Sequence, residues 1–326
     1  MSRRLARRPR AREAIRNVRT RLRTIASLAA LTLCSAVCAS SCLPADTRPV
    51  PAMLHVTVTG GALVKNGIPA TSDGWSVTFD RFLITLGQAR LGGDPCTPYS
   101  DGDYKRIFDA KVADGQKLSD LYATGTCDFT VRISNPDADS ILSPGVTIDD
   151  QDLMRTPSMD RYSEGQTTGV SLYVKGSASK AGVVKRFAWS FRSRRVELHD
   201  CARFGEKPTP LVLQGGTSPV LDVQIRGEAL FQDGLDPSTA KLRFTPFADA
   251  DDITGNADGE VTLDELRAVP VDAAGSADGD IIRGDGGTPS FATFEDYVYL
   301  GLSPQIGRLG TEGACIGTLG KPRRED

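Results

Sequence analysis

The sequence predicts a mostly β protein: an antiparallel β-sandwich, one elaborated or two small, with a small helical and loop insert near the C-terminus. Three observations carry this. Apolar and polar residues alternate with period two in many short runs. Gly 33 and Pro 19 among 326 residues punctuate those runs with turns. Stretches with helical periodicity are few and short.

The runs come in order. Leu54, Val56 and Val58 alternate with His55, Thr57 and Thr59. Trp75, Val77 and Phe79 follow, and then Phe82, Ile84 and Leu86 continue on the opposite parity. A parity switch inside one run predicts a bulge near Asp80-Arg81. Phe129, Val131 and Ile133 form the next run, and Leu172 and Val174 another. Phe187, Trp189 and Phe191 alternate beside Lys185, Arg186, Ser190 and Arg192, which predicts a sheet with one wet face. Trp75 and Trp189 are core candidates. Leu221, Val223 and Ile225 are a further strand, and Leu242 and Phe244 a last short one. Lys117 to Tyr122 places Leu118, Leu121 and Tyr122 on one side of a short helix. Leu263 to Ala268 and Thr293 to Leu300 are the other helical candidates.

The N-terminus reads as an address. Net charge is −2, but residues 1–25 carry ten Arg against one Glu. The uncharged stretch Ile25 to Ser41 follows, short for a membrane span. Ala39, Ser40 and Ser41 precede Cys42. This arrangement resembles the bacterial lipobox, in which small residues precede a cysteine that is lipidated and becomes the new N-terminus. The resemblance implies that Cys42 anchors the protein to a membrane, the outer membrane being favoured because Leu43 rather than Asp follows it. The divisions expected are a signal peptide over 1–41, a Pro-rich tether over 42–51, the sandwich over 52–247, the acidic insert over 248–300 and a tail over 301–326.

Cys96, Cys127, Cys201 and Cys315 remain after the signal. An even number in an exported chain predicts structural disulfides, and Cys96–Cys127 with Cys201–Cys315 is the favoured pairing. No C-x-x-C occurs, so neither a redox motif nor a zinc knuckle is indicated.

The chemistry is concentrated in residues 248–285, which hold eleven acids against Arg267 and Arg283. Such density needs solvent or a cation to offset its own repulsion. Asp252-Ile-Thr-Gly-Asn-Ala-Asp-Gly-Glu-Val repeats twenty residues later as Asp272-Ala-Ala-Gly-Ser-Ala-Asp-Gly-Asp-Ile. The repeat aligns Asn256 with Ser276, Asp258 with Asp278, Glu260 with Asp280 and Glu265 with Asp285. Alternating oxygen donors, a glycine turn, an inward apolar residue and a closing carboxylate suit calcium, which takes about six to eight oxygens. The first copy resembles the EF-hand loop over about 14 residues. The resemblance implies Asn256 and Asp258 as ligands, the Glu260 carbonyl as another and Glu265 as the bidentate closer. Thr254 stands where the family has Asp, so Asp252 is the substitute expected for that place. The preceding segment, Lys241 to Phe247, reads as a strand where the family has a helix. The second copy, with Asp272, Ser276, Asp278, Asp280 and Asp285, is followed by Gly284, Gly286 and Gly287 and is the poorer match.

Composition excludes some functions. The chain after residue 25 carries −11, which argues against nucleic acid as a partner. No G-x-S-x-G, H-E-x-x-H or phosphate loop occurs, so no catalytic motif is found. The reading is an exported, lipid-anchored binding or structural protein of the cell envelope, with an envelope protein or glycan as partner and calcium holding its loops. Two other classes compete. A calcium-dependent hydrolase of envelope polymers would need a separate acid pair from among Asp101, Asp103 and Asp200. A periplasmic transition-metal carrier would need His55 and His199 side by side.

Overall fold

The alternating runs are strands in the computed structural model, which describes residues 50–163, 165, 167–192, 195–202, 210–271, 291–309 and 313–319, the last seven and 195–202 by backbone. The strands are β1 (Ala52–Gly60), β2 (Ser76–Gly92), β3 (Cys96–Pro98), β4 (Gly102–Asp109), β5 (Gln116–Ser134), β6 (Ile141–Leu142), β7 (Leu172–Lys180), β8 (Val183–Phe191), β9 (Arg195–Ala202), β10 (Leu211–Leu213), β11 (Val220–Ile225), β12 (Glu260–Val261), β13 (Gly307–Leu309) and β14 (Gly313–Leu319). Among the described residues five short α-helices join them: α1 (Ala62–Asn66), α2 (Ile148–Arg155), α3 (Thr245–Asp249), α4 (Leu263–Arg267) and α5 (Phe294–Asp296).

The described strands form one hydrogen-bonded sheet in the order β1-β11-β13-β14-β9-β5-β2-β7-β8-β12. It is mixed rather than purely antiparallel, because β1 runs parallel to β11, β4 to β6 and β8 to β12. The long strand β5 pairs with β9 through Val131–Ser134 and with β1 through Gln116–Ala123. One strand thereby closes the path from β1 round to β9, and the sheet curls back on itself.

Two bulges explain where the sequence pattern misleads and where it does not. In β2, Phe79 pairs with Gly176 and Arg81 with Lys175, so Asp80 is the extra residue. This is the predicted parity switch, and it lets Phe79 and Phe82 both face the core with ring centroids 5.5 Å apart. In β5, Val56 faces Ser119 while Thr57 faces Lys117, so Leu118 is extra. That bulge puts Leu118 and Leu121 on the same buried side at a spacing of three. The helix expected over 117–122 is therefore a strand: a bulge imitates helical periodicity over one turn.

Among the described residues the larger of two core clusters runs from Ala52 to Ile306, and a smaller one holds Leu83, Ile107, Met154 and Val170. The centre of the larger is aromatic: Phe79, Phe187, Trp189, Phe231, Phe244 and Phe247 contact one another at centroid distances of 4.7 to 6.3 Å. Phe187 and Trp189 come from β8, while Phe244 and Phe247 flank and begin the acidic insert. Phe294, Tyr297 and Leu302, from α5 and the π-helical turn after it, belong to the same cluster. The insert thus rests on the sheet through buried rings, with the Lys185–Asp251 ion pair beside them. Cys96 and Cys127 form the expected disulfide between β3 and β5.

Candidate functional site

The acidic loop is held at both ends by local chemistry. Residues Lys241–Phe247, expected to be extended, instead start a helix. Leu242 makes one bridge with Gln232, and α3 begins at Thr245. The cause is a remote cap: the Asp73 carboxylate accepts the backbone N–H groups of Phe244 at 2.9 Å and Thr245 at 2.7 Å. Hydrogen bonds from Thr71 and Thr245 outweigh the burial of Asp73 and hold its carboxyl below the usual range. A π-helical turn, Ala250–Thr254, continues α3 into the loop. At the far end Thr262 and Glu265 form a reciprocal capping box that starts α4. The local order is helix, loop, two-residue strand and helix.

Between them the backbone reverses sharply. Ala257 has φ 58° and Gly259 φ 82°, a region that favours glycine. β12 then pairs in parallel with Arg186 and Phe187 of β8, and the Trp189 indole N–H donates to the Val261 carbonyl at 2.8 Å. The Glu265 carboxylate folds back over the loop, where Oε1 accepts the Asn256 N–H at 3.3 Å and Oε2 accepts the Thr262 N–H at 2.9 Å. A Cβ on Gly255 would stand 2.4 Å from Glu265 Oε1 and 2.8 Å from the Asp251 carbonyl, so a larger residue there would push that carboxylate aside.

Of the predicted first-copy residues, Asn256, Asp258 and Glu265 are brought together. Asn256 Nδ2 donates to Asp258 Oδ2 at 2.9 Å, and Asp258 Oδ1 accepts the Glu260 N–H at 2.8 Å. Asn256, Asp258 and Glu260 are exposed, and Glu265 is half-buried. Asp252, expected to replace the missing first ligand, faces another way: Oδ1 is 2.5 Å from Lys185 Nζ. The Thr254 hydroxyl donates to the Ala250 carbonyl at 2.8 Å. Among the described residues no three His, Cys, Asp or Glu side chains form a ready metal cage. The outer donors are all oxygen, which fits a hard cation, while the first place lacks a carboxylate turned toward them. Cys42 and the second copy, Asp272, Ser276, Asp278, Asp280 and Asp285, lie outside the described residues.

Sequence reasoning missed Asp251 and Lys185. Asp251 is fully buried, accepts the N–H groups of Asp258 at 3.1 Å and Gly259 at 3.0 Å, and lies 2.6 Å from Lys185 Nζ. Burial opposes the Lys185 charge, but hydrogen bonds to Asp251 and Asp252 raise the ammonium above the ordinary lysine range. The signal was available, since Lys185 shares the parity of Phe187, Trp189 and Phe191 and so points to the apolar side.

Beyond α4, the Arg267 guanidinium grips Glu295 through two bonds, of 2.7 and 3.0 Å. Arg161 joins Glu295 at 3.1 Å and Asp296 at 2.6 Å. The Phe294 N–H donates to the Val269 carbonyl at 2.9 Å, and Pro270 bridges Thr293. The helix leaving the loop is thus tied to α5.

The residues of the competing readings are placed differently. His55 Nδ1 lies 2.8 Å from Asp120 Oδ1, its cross-strand neighbour on β5. His199 sits on β9, which pairs with the opposite end of β5. Asp103 pairs with Arg90 at 3.1 Å, and Asp101 is exposed. No protein-family model, no curated protein and no solved structure matches this chain.

Proposed function

We propose that this protein is an exported, lipid-anchored component of the bacterial envelope that acts by binding rather than by catalysis. Its body is a sandwich-like β scaffold, and residues 248–300 are an EF-hand-like insert stabilised by calcium. The observation that carries the reading is the helix–loop–helix geometry of residues 245–267, with Asn256, Asp258 and Glu265 gathered over a glycine turn. Calcium would be held there by Asn256, Asp258, the Glu260 carbonyl and Glu265, and would neutralise their charge beside the exposed Arg186–Glu260 pair. The second copy would add Asp272, Ser276, Asp278, Asp280 and Asp285. Cys42 would carry the lipid, and the partner would be an envelope protein or a glycan.

The core supports a role for calcium in stability. The loop helices bury Phe247, Leu266 and Val269 in the same cluster as the sheet, so ordering the loop strengthens that packing. At calcium ten times above Kd, the linkage amounts to about 1.4 kcal/mol, or a rise of roughly 3–5 °C in melting temperature. Thermal melting of the mature protein in calcium and in chelator tests this, and equal curves would remove the role. Neither competing class gains a specific observation. His55 pairs with Asp120 toward one end of β5, His199 lies on β9, which joins β5 at its other end, and Asp103 is paired with Arg90.

A further inference from the structure

The side of the loop that faces the sheet already holds a cation of the protein's own. Lys185 is 4 % exposed, Asp251 0 % and Asp252 52 %. The ammonium reaches both carboxylates, at 2.6 and 2.5 Å. Asp251 passes this charge on, because its two oxygens collect the N–H groups of Asp258 and Gly259 at the middle of the loop. Arg186 N–H donates to the Gly259 carbonyl at 2.8 Å, so the residue after the lysine fastens the same turn.

We infer that Lys185 is a tethered counter-ion that sets the loop's response to divalent cations: it turns Asp251 and Asp252 toward the sheet, orders the loop without an ion, and leaves a soluble cation the outer oxygens of Asn256, Asp258, Glu260 and Glu265. The inference rests on the calcium reading of this loop. An ammonium bound to two carboxylates competes with calcium for them and repels it at short range. It does not leave easily, since its departure strands a carboxylate away from water. The outer donors then carry few formal charges, and fewer charged ligands mean weaker calcium binding. The loop should therefore respond at about 0.1–1 mM, the range of extracellular calcium modules, rather than at the micromolar levels of cytosolic sensors.

The test is calorimetric titration of the full chain, purified in detergent, with calcium chloride alone. Lys185→Met should bind calcium at least about tenfold more tightly than the parent while melting lower in chelator. Lys185→Arg, which keeps the charge, should bind like the parent. A purely structural lysine would weaken both properties together. Should Lys185→Met fail to fold in chelator, Lys185→Met/Asp251→Asn removes the pair as a unit, and its freed Asp252 should still tighten binding. Parent and Lys185→Met affinities that coincide would overturn the inference and leave the calcium reading standing. Binding by the methionine variant alone would support the inference, with lysine fully replacing the ion in the parent. No binding by any of the four proteins would overturn both.

Discussion

Asp251 and Glu265 are both acids of one loop, and their surroundings give them different work. Asp251 is sealed between the Lys185 ammonium and two loop amides. Replacing it with alanine leaves the buried Lys185 ammonium with Asp252 alone and two loop amides without their acceptor, a change that costs up to about 3–5 kcal/mol. Urea unfolding of Asp251→Ala should show a loss of that size. Glu265 lies nearer to water and serves first as the reciprocal partner of the Thr262 cap. Glutamine preserves such a box, since it still presents an oxygen to the Thr262 N–H. Glu265→Gln, which keeps the Thr262 bond but cannot also accept the Asn256 N–H, should melt in chelator only slightly below the parent, yet bind calcium at least about tenfold more weakly. Asp285→Asn, in the poorer copy, should weaken binding less. Calorimetry on the two variants makes the comparison.

Bulges and crosslinks decide how the strands behave. The Cys96–Cys127 bridge spans 31 residues and ties the short strand β3 to β5. Closing a loop of that length restricts the unfolded chain by about 3–4 kcal/mol, so the Cys96→Ser/Cys127→Ser variant should lose stability on that order in urea. Cys201 and Cys315 lie on β9 and β14, which are antiparallel neighbours with Ala202 opposite Ala314. The register slips between Ala314 and Ile316, at Cys315 itself. Neighbouring antiparallel strands hold facing Cα atoms about 4.5–5.5 Å apart, within the span of a disulfide. Non-reducing peptide mapping should recover a Cys201–Cys315 crosslink, and two free thiols there would refute it. The bulge at Leu118 is also why residues 117–122 read as a helix. Two leucines three apart look alike on a helix and across an irregular strand, and the partner strand alone tells them apart.

Stability of the whole molecule should depend on pH through its aspartates. Asp73, Asp120, Asp137, Asp150 and Asp296 are all held below their ordinary value of 3.8. For Asp120 the leading cause is the Lys117 hydrogen bond; for Asp73 hydrogen bonds outweigh burial, and for the other three hydrogen bonds and neighbouring cations do so together. A lowered folded pKa contributes stability that is complete above the unfolded value and disappears as pH falls through the folded one. Asp109 and Asp249 are shifted upward, chiefly by burial, and partly oppose the trend. Melting temperature should be nearly flat from pH 7 to about 5 and fall steeply below about 4. A maximum near pH 4 would mean that Asp109 and Asp249 dominate instead.

Period two, turn residues and cysteine parity were enough to place most strands, the Asp80 bulge, the first disulfide and the acidic loop. These depend on neighbours along the chain, where side-chain direction follows from backbone geometry. The mixed pairing, the closure of the sheet by β5, the remote Asp73 cap that makes α3 a helix and the Lys185–Asp251 pair were not legible in that way. Each joins residues far apart in sequence: Asp73 lies 171 positions before Phe244, and Lys185 66 before Asp251. A buried charge or an orphan amide must find a partner, but which partner it finds depends on where the folded strands bring the chain together.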